Sequence, residues 1–406
     1  MRRVAWIAVA TLVSVSCGDK DDDGCGSKSS LVGSTESWTT GANPDAGIGL
    51  GSGGGGGSSG DKDCAGGSYR KLESDSASGA MPPSSGAAEE PASVDASAPG
   101  GMIGSGGGSG NGQVEWGILT AGTFDDALNS EHFAKYWAEV LTPDPYGSED
   151  PSQLQWPKFE DLPTGERFDG VAKTALDLSF VVDVTGSMGD ELAYINAELG
   201  HIVGAVKDRY GDVTQRWSLI VYRDEGDEYV TKGINFTGDL DEFKVFLAAQ
   251  QAGGGGDMPE AMHTALEEAD SRLQWGDATT AKVMFLIADA PPHVQHVPAT
   301  MAALDELTAK GVHVYPVASS GVDPLAEKIM RYGAVSSRGE YLFLTDDSGV
   351  GAPHAEPHVP CYAVRKLADV MIETLVAEIQ GARVSPDPAT IIRTVGNPVD
   401  GMCAPQ

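Results

Sequence analysis

The sequence predicts an α/β fold: a doubly wound, mostly parallel six-stranded sheet with helices on both faces, preceded by a disordered linker. From about residue 177 onward, strand-like and helix-like patterns alternate, as in a sheet whose strands are joined by crossover helices. Two strand-like segments, Leu178-Ser179-Phe180-Val181-Val182 and Val283-Met284-Phe285-Leu286-Ile287, are near-continuous apolar runs, as expected of strands covered on both sides. Much of the glycine, by contrast, falls in the first 113 residues, in tracts such as 49–60 and 104–110 that hold too little apolar surface to offset the entropy of ordering a backbone.

Residues 1–17 read as a signal peptide. Arg2 and Arg3 precede the mostly apolar run Val4 to Val15, which ends at Ser16-Cys17-Gly18 and is too short to span a bilayer as a helix. The segment resembles a bacterial lipoprotein signal, which implies cleavage before Cys17 and acylation of that cysteine. Ser14 departs from the pattern, which usually has leucine there, so a plainly secreted protein is the alternative. Gly18 after the cysteine implies passage to the bacterial outer membrane or cell surface, with membrane attachment through the N-terminal lipid anchor.

Residues 18–113 are expected to form a flexible Gly/Ser/Asp-rich tether. Residues 114–170 are expected to be a helical extension packed on the main domain, because Phe124, Leu128, Phe133, Tyr136, Trp137 and Val140 fall near helical spacing. The main domain spans 171–383. Its candidate strands are 176–184, 217–222, 229–236, 282–289, 312–318 and 341–344, and its candidate helices 190–209, 239–250, 259–273, 298–310, 323–335 and 362–380. Tyr222 and Tyr229 are too close for a helical crossover, so those two strands should be antiparallel, with 229–236 at a sheet edge. Residues 384–406 form a C-terminal tail.

Five cysteines suit an oxidising compartment: with Cys17 lipidated, Cys25, Cys64, Cys361 and Cys403 remain. Cys361 with Cys403 would pin the tail to the domain, but four cysteines allow three pairings and the sequence does not choose. The formal net charge of -32 offers no basic stripe for phosphates, so no nucleic acid partner is expected.

The chemistry concentrates in three separated motifs, Asp183 to Met188, Gly253 to Ala261 and Leu286 to His293, each at the end of a buried strand or the start of a helix. Ligands gather at the carboxyl ends of strands where strand order reverses, so the three can converge there. Asp183, Asp257 and Asp289 supply carboxylates, and Thr185 and Ser187 supply hydroxyls. Oxygen donors of this kind suit a hard divalent cation, Mg, Mn or Ca.

Asp183, Thr185 and Ser187 resemble the Asp-x-Ser-x-Ser motif of the von Willebrand factor A domain, whose metal-ion-dependent adhesion site is completed by a threonine from a later loop and an aspartate after the fourth strand. Asp289 matches that aspartate. Asp257 stands where the threonine is expected, a departure that would hold metal more tightly and attract an acidic partner less; capping of the helix near Pro259 is the plainer role. Tyr222-Arg223-Asp224, 254–261 and 288–293 are similar to the subgroup of hemicentins and of the A domains joined to some alpha-kinases. The resemblance covers roughly 171–380.

Other features are weaker. Asp190 and Glu191 stand where integrin beta chains have an acidic pair serving an adjacent metal, although acids in a first helical turn are favourable without one. Asp224 and Asp227 belong to an acidic loop that is a candidate second metal site or rim. His354, His358 and Cys361 have a spacing compatible with zinc, against the simpler disulfide. The function expected is binding of a protein or cell-surface ligand through the metal. The alternatives are a metal-stabilised structural envelope protein, or a hydrolase using Asp289 and His293. The sequence has no P-loop, nucleophile elbow or HExxH motif, so an enzyme is not the expectation.

Overall fold

A computed structural model describes residues 37–40, 114–124, 162–163, 167–357, 359–398 and 403. The signal segment with Cys17, Cys25 and Cys64, most of the expected tether, most of the expected helix after Phe124, and His358 lie outside these residues.

The described residues form one ten-stranded sheet. Its strands are β1 (Ser37–Thr40), β2 (Thr120–Thr123), β3 (Ala175–Asp183), β4 (Thr214–Tyr222), β5 (Thr231–Thr237), β6 (Thr280–Ala288), β7 (His313–Ala318), β8 (Leu342–Leu344), β9 (Tyr362–Lys366) and β10 (Arg393–Val395). Their spatial order is β1-β5-β4-β3-β6-β7-β8-β2-β9-β10. The centre, β4-β3-β6-β7-β8, is parallel. β5 and β2 join it antiparallel, on β4 and β8 respectively. The helices are α1 (Leu192–Arg209), α2 (Leu240–Ala248), α3 (Met262–Ser271), α4 (Val297–Ala309), α5 (Pro324–Ser337) and α6 (Leu367–Gln380). Among the described residues no helix is long and apolar enough to cross a membrane.

The period-two alternation of a strand explains why the central runs are apolar throughout. Leu178, Phe180 and Val182 of β3, with Val283, Phe285 and Ile287 of β6, face a core completed by Ile195, Leu199 and Ile202 of α1 and Leu375 and Ile379 of α6. Val181 of β3, with Met284 and Leu286 of β6, faces the opposite core, closed by Leu266 of α3, Leu304 of α4 and Ile329 of α5. Two polar helix starts are secured locally: Asp239 accepts from the backbone N–H groups of Asp241 and Glu242, and Asp323 accepts from Leu325 ahead of Pro324.

Strand order reverses at β3, which continues through α1 to β4 on one side and pairs with β6 on the other. Val182 lies opposite Ile287, so Asp183 and Asp289 emerge from neighbouring strands at the same edge.

The sheet is larger than the six strands expected. β1 falls inside the expected tether and covers β5, which is therefore not the edge. It is held by Trp38, whose indole lies over Gly233 where a Cβ would come within 2.5 Å of the ring, and whose N–H donates to Glu268. β2 is one short stretch, and its Gly122 lets the Phe343 ring press against the backbone. The expected helix 362–380 is β9 followed by α6; the apolar residues of Tyr362–Lys366 run directly into the helical pattern, so the change of period is invisible in sequence. β10 lies in the expected tail.

Of the pairings open to the cysteines, the structure contains Cys361–Cys403, with Cα atoms 5.4 Å apart and 42 residues of separation. It ties the chain beyond β10 to the segment preceding β9. Closing a loop of that length contributes about 4 kcal/mol in the chain-entropy account. Cys403→Ser should lower the unfolding free energy by about 2–4 kcal/mol, read from urea denaturation. An unchanged midpoint would show that the tail contributes nothing to folding.

Candidate metal centre

The motif after β3 is built by its own first residue. Asp183, fully buried, accepts at Oδ1 from the Thr185 backbone N–H at 2.9 Å and from the Thr185 hydroxyl at 2.6 Å. This Asx-type turn aims Thr185 and Ser187 to one side, with their hydroxyl oxygens 3.2 Å apart. Asp289, just past β6, is buried and lies beside the Ser187 hydroxyl, which favours its ionised form.

The glycine loop clasps this turn through backbone alone. Gly186 N–H donates to Gly254 O at 3.1 Å, and Gly253 N–H donates to Val184 O at 3.0 Å. Gly254 and Gly255 have φ of 80° and 70°, and a Cβ on Gly255 would meet Glu260 Oε1 at 2.9 Å and Thr185 Cβ at 3.3 Å. Backbone here must pass where no side chain fits. The loop then hooks onto the sheet: Glu260 N–H donates to Pro291 O at 2.9 Å and Ala261 N–H to Arg223 O at 3.2 Å.

These ties place the loop's acids differently from the sequence reading. Asp257 is exposed, and its charge acts on Asp224 at the rim. The buried acid is Glu260, at 2% exposure, which shares its surroundings with Asp183, Asp289, Asp224 and Asp227. Sequence reasoning fixed on Asp257 because it stands at the expected threonine position. The available signal was Glu260's place between Pro259 and Ala261, at the entry to an apolar helix face.

Asp183 Oδ2, Asp289 Oδ1 and Glu260 Oε2 are buried without a hydrogen bond, and the buried Tyr222 hydroxyl lies beside Asp183 outside ordinary bonding geometry. Burial pushes Asp183 up to about 7, reinforced by Asp289 and opposed by Thr185. Burial likewise raises Asp289 to about 6, against the Ser187 hydroxyl and with the charges of Glu191 and Asp190. Burial, with Asp183, Asp224, Asp227 and Asp289 around it, raises Glu260 to about 10. Carboxyls so placed retain protons unless positive charge replaces them. Buried, unpartnered oxygens on Asp183 and Asp289, with the two hydroxyls and with Glu260 near enough to feel both charges, fit a hard divalent cation. Asp183, Asp289, Thr185, Ser187 and Glu260 would hold it.

The weaker candidates separate. Asp190 is exposed on the same rim, where its charge reaches Asp289. Glu191 is fully buried and acts as a strut, accepting from Ser320 N–H at 2.9 Å and facing His354 Nε2 at 3.3 Å. His354 Nδ1 lies 2.9 Å from Asp346. Burial works against the His354 cation, but the bonds to Glu191 and Asp346 outweigh it and raise the pKa. Asp227 accepts from Asp224 N–H at 3.1 Å and Gly255 N–H at 2.8 Å, bracing the acidic loop against the glycine loop. Asp224 faces His293 Nε2 at 2.8 Å. The Cys361 sulfur is bonded to Cys403, the simpler of its two readings, which leaves no thiolate beside His354 for zinc.

The raised carboxyls set a pH dependence. Their folded pKa values exceed the unfolded ones near 4, so their stabilisation is full below that range and is lost as pH rises through about 6, 7 and 10. His263, which burial lowers to about 4, acts oppositely, but only below its ordinary 6.5. In chelator, the thermal midpoint should therefore fall from pH 6.5 to 8.5, and saturating Mn2+ should reduce the fall to the part due to His354, whose raised pKa costs stability over the same range. Glu260→Gln should flatten the upper half of that range. A chelated protein whose midpoint rises over the same range would contradict this account of the pocket.

Residues 177–345 match the family model of the von Willebrand factor A domain. The chain is 36% identical over 121 residues to an ariadne-like RING finger protein of Acanthamoeba polyphaga mimivirus, covering 30% of this chain and 12% of that protein. It is 30% identical over 123 residues to the alpha-protein kinase vwkA of Dictyostelium discoideum, covering 30% of this chain and 19% of the kinase. The chain thus spans less than a fifth of either relative. Among solved structures, BatB from Bacteroides thetaiotaomicron is similar at 14% identity and a TM-score of 0.35, over 50% of this chain and 98% of that one. Proximal thread matrix protein 1 of the mussel byssus, with a zinc-occupied MIDAS motif, is similar at 16% identity and a TM-score of 0.33, over 42% and 41%.

Proposed function

Because residues 177–345 form a von Willebrand factor A domain, we propose that the protein is an exported binding module that engages a protein or cell-surface ligand through a divalent cation. The cation would sit among Asp183, Thr185, Ser187, Asp289 and Glu260. The observation that carries this reading is the set of buried, unpartnered oxygens on Asp183, Asp289 and Glu260 at the point where strand order reverses. All-oxygen donors favour Mg, Mn or Ca.

Charge supports recognition by the bound ion. Two ionised carboxylates neutralise a dication, and a third leaves a formal charge of -1. Glu260 is the carboxyl most reluctant to ionise, so a site that keeps its proton stays neutral and free to draw an oxygen donor from a partner. The exposed Asp190 and Asp257 on the rim then favour partners with basic groups around that donor. We take the domain to bind rather than to catalyse: His293, the base a hydrolase would use, faces Asp224 rather than Asp289.

The N-terminal sequence supports attachment of this module to an outer membrane or cell surface by a lipid on Cys17, through the Gly/Ser-rich segment. Growth of expressing cells with an alkyne-tagged palmitate should label the wild type and leave Cys17→Ser unlabelled; equal labelling would remove the anchor.

The cation reading is tested by capture from cell-envelope extract. Asp183→Ala and Asp289→Asn should lose capture while keeping the circular dichroism of the wild type, and chelation should do the same to the wild type. If chelation melts the domain and capture merely follows folding, the ion serves stability, as in the structural alternative.

A further inference from the structure

We propose that Glu225, His263 and His296 form a second cation site, for a borderline transition-metal ion such as Zn2+, on the rim beside the hard-cation pocket. One ligand atom from each of the three lies within 4.8 Å of the others. They come from separate elements: Glu225 from the loop after β4, His263 from the first turn of α3, and His296 from the 3-10 turn Val294–His296 that leads into α4. Nothing in the sequence brings them together; the parallel arrangement of β4, β3 and β6 does.

The two imidazoles stack with centroids 3.9 Å apart and planes 9° from parallel. Glu225 Oε1 lies 3.3 Å from His296 Nε2 and 3.8 Å from His263 Nε2. His263 is nine-tenths buried and its Nδ1 has no hydrogen-bond partner. Its Nε2, the nitrogen toward Glu225, lies 3.1 Å from the Thr264 hydroxyl, and burial, with His296 beside it, disfavours its protonation, so one ring nitrogen keeps a lone pair to donate. With the partly exposed His296 ring turned out of the stack so that both lone pairs meet, two imidazoles and a carboxylate make a nitrogen-rich set, which suits Zn2+, Co2+ or Ni2+ and is a poor cage for Mg2+ or Ca2+. Three protein ligands leave a coordination position open toward solvent, where Glu225 is exposed. Asp224, next to Glu225 in the chain, is bonded to His293 at 2.8 Å and its charge acts on Glu260, so one loop adjoins both the borderline donors and the hard ones.

This site goes beyond the proposed function and does not depend on it. The test uses full-length protein in saturating Mg2+, which occupies the oxygen pocket, with Co2+ as the visible probe. The wild type should bind one Co2+ per chain with d–d absorption that Zn2+ displaces. His296→Ala, at a partly exposed side chain, should weaken Co2+ binding by at least about tenfold, and Glu225→Gln by severalfold, whereas Asp183→Ala should leave the signal unchanged. Absence of a Co2+ band in the wild type, or full binding by His296→Ala, would reduce the cluster to an ordinary stacked histidine pair. Loss of the band in Asp183→Ala would put the ion in the oxygen pocket and overturn the second site.

Discussion

Mutual repulsion among buried carboxyls organises one edge of this protein. Asp183, Asp289 and Glu260 are withdrawn from water into shared surroundings, where Asp289 disfavours ionisation of Asp183, both disfavour that of Glu260, and burial disfavours all three. A protein gains nothing for folding alone from such an arrangement; apolar side chains of similar volume would fill the space at lower cost. The surrounding backbone is nonetheless committed to maintaining it. The turn at Thr185 holds Asp183, while the left-handed glycines 254 and 255 and the bond from Glu260 N–H to Pro291 fix the loop that carries Glu260.

The rest of the sheet serves that edge by being rigid. Central strands buried on both faces cannot slide without moving every side chain to the wrong core, so the register that puts Asp183 next to Asp289 is fixed by packing far from either. Further ties close the periphery. Glu191 binds the chain after β7 and faces His354, which in turn reaches Asp346 after β8. β1 and β10 complete the two ends of the sheet, and the disulfide secures the chain beyond β10.

The same rim carries donors of two chemical kinds. Hydroxyls and carboxyls line the crevice between β3 and β6, while histidines from α3 and the start of α4 stand beside the β4 loop. Hard and borderline ions prefer different donors, so such a surface can sort cations by chemistry alone. Asp224 joins the two regions by its bond to His293 and its charge on Glu260.

The sequence by itself determined the local facts. The apolar runs of β3 and β6 marked strands covered on both faces, and Asp183, Thr185 and Ser187 could be read as one turn because their geometry is set within five residues. The helices α1 to α5 were legible from periodicity for the same reason. Short strands without alternation, β1, β2 and β10, were not, since they exist only where a neighbouring edge offers hydrogen bonds. Tertiary structure alone decided that Glu260 rather than Asp257 is buried, that Glu191 is a strut, and that His263, His296 and Glu225 meet. The physical reason is that burial and encounter between distant residues depend on how the loops at the strand ends hook onto one another, which no local stretch of sequence encodes.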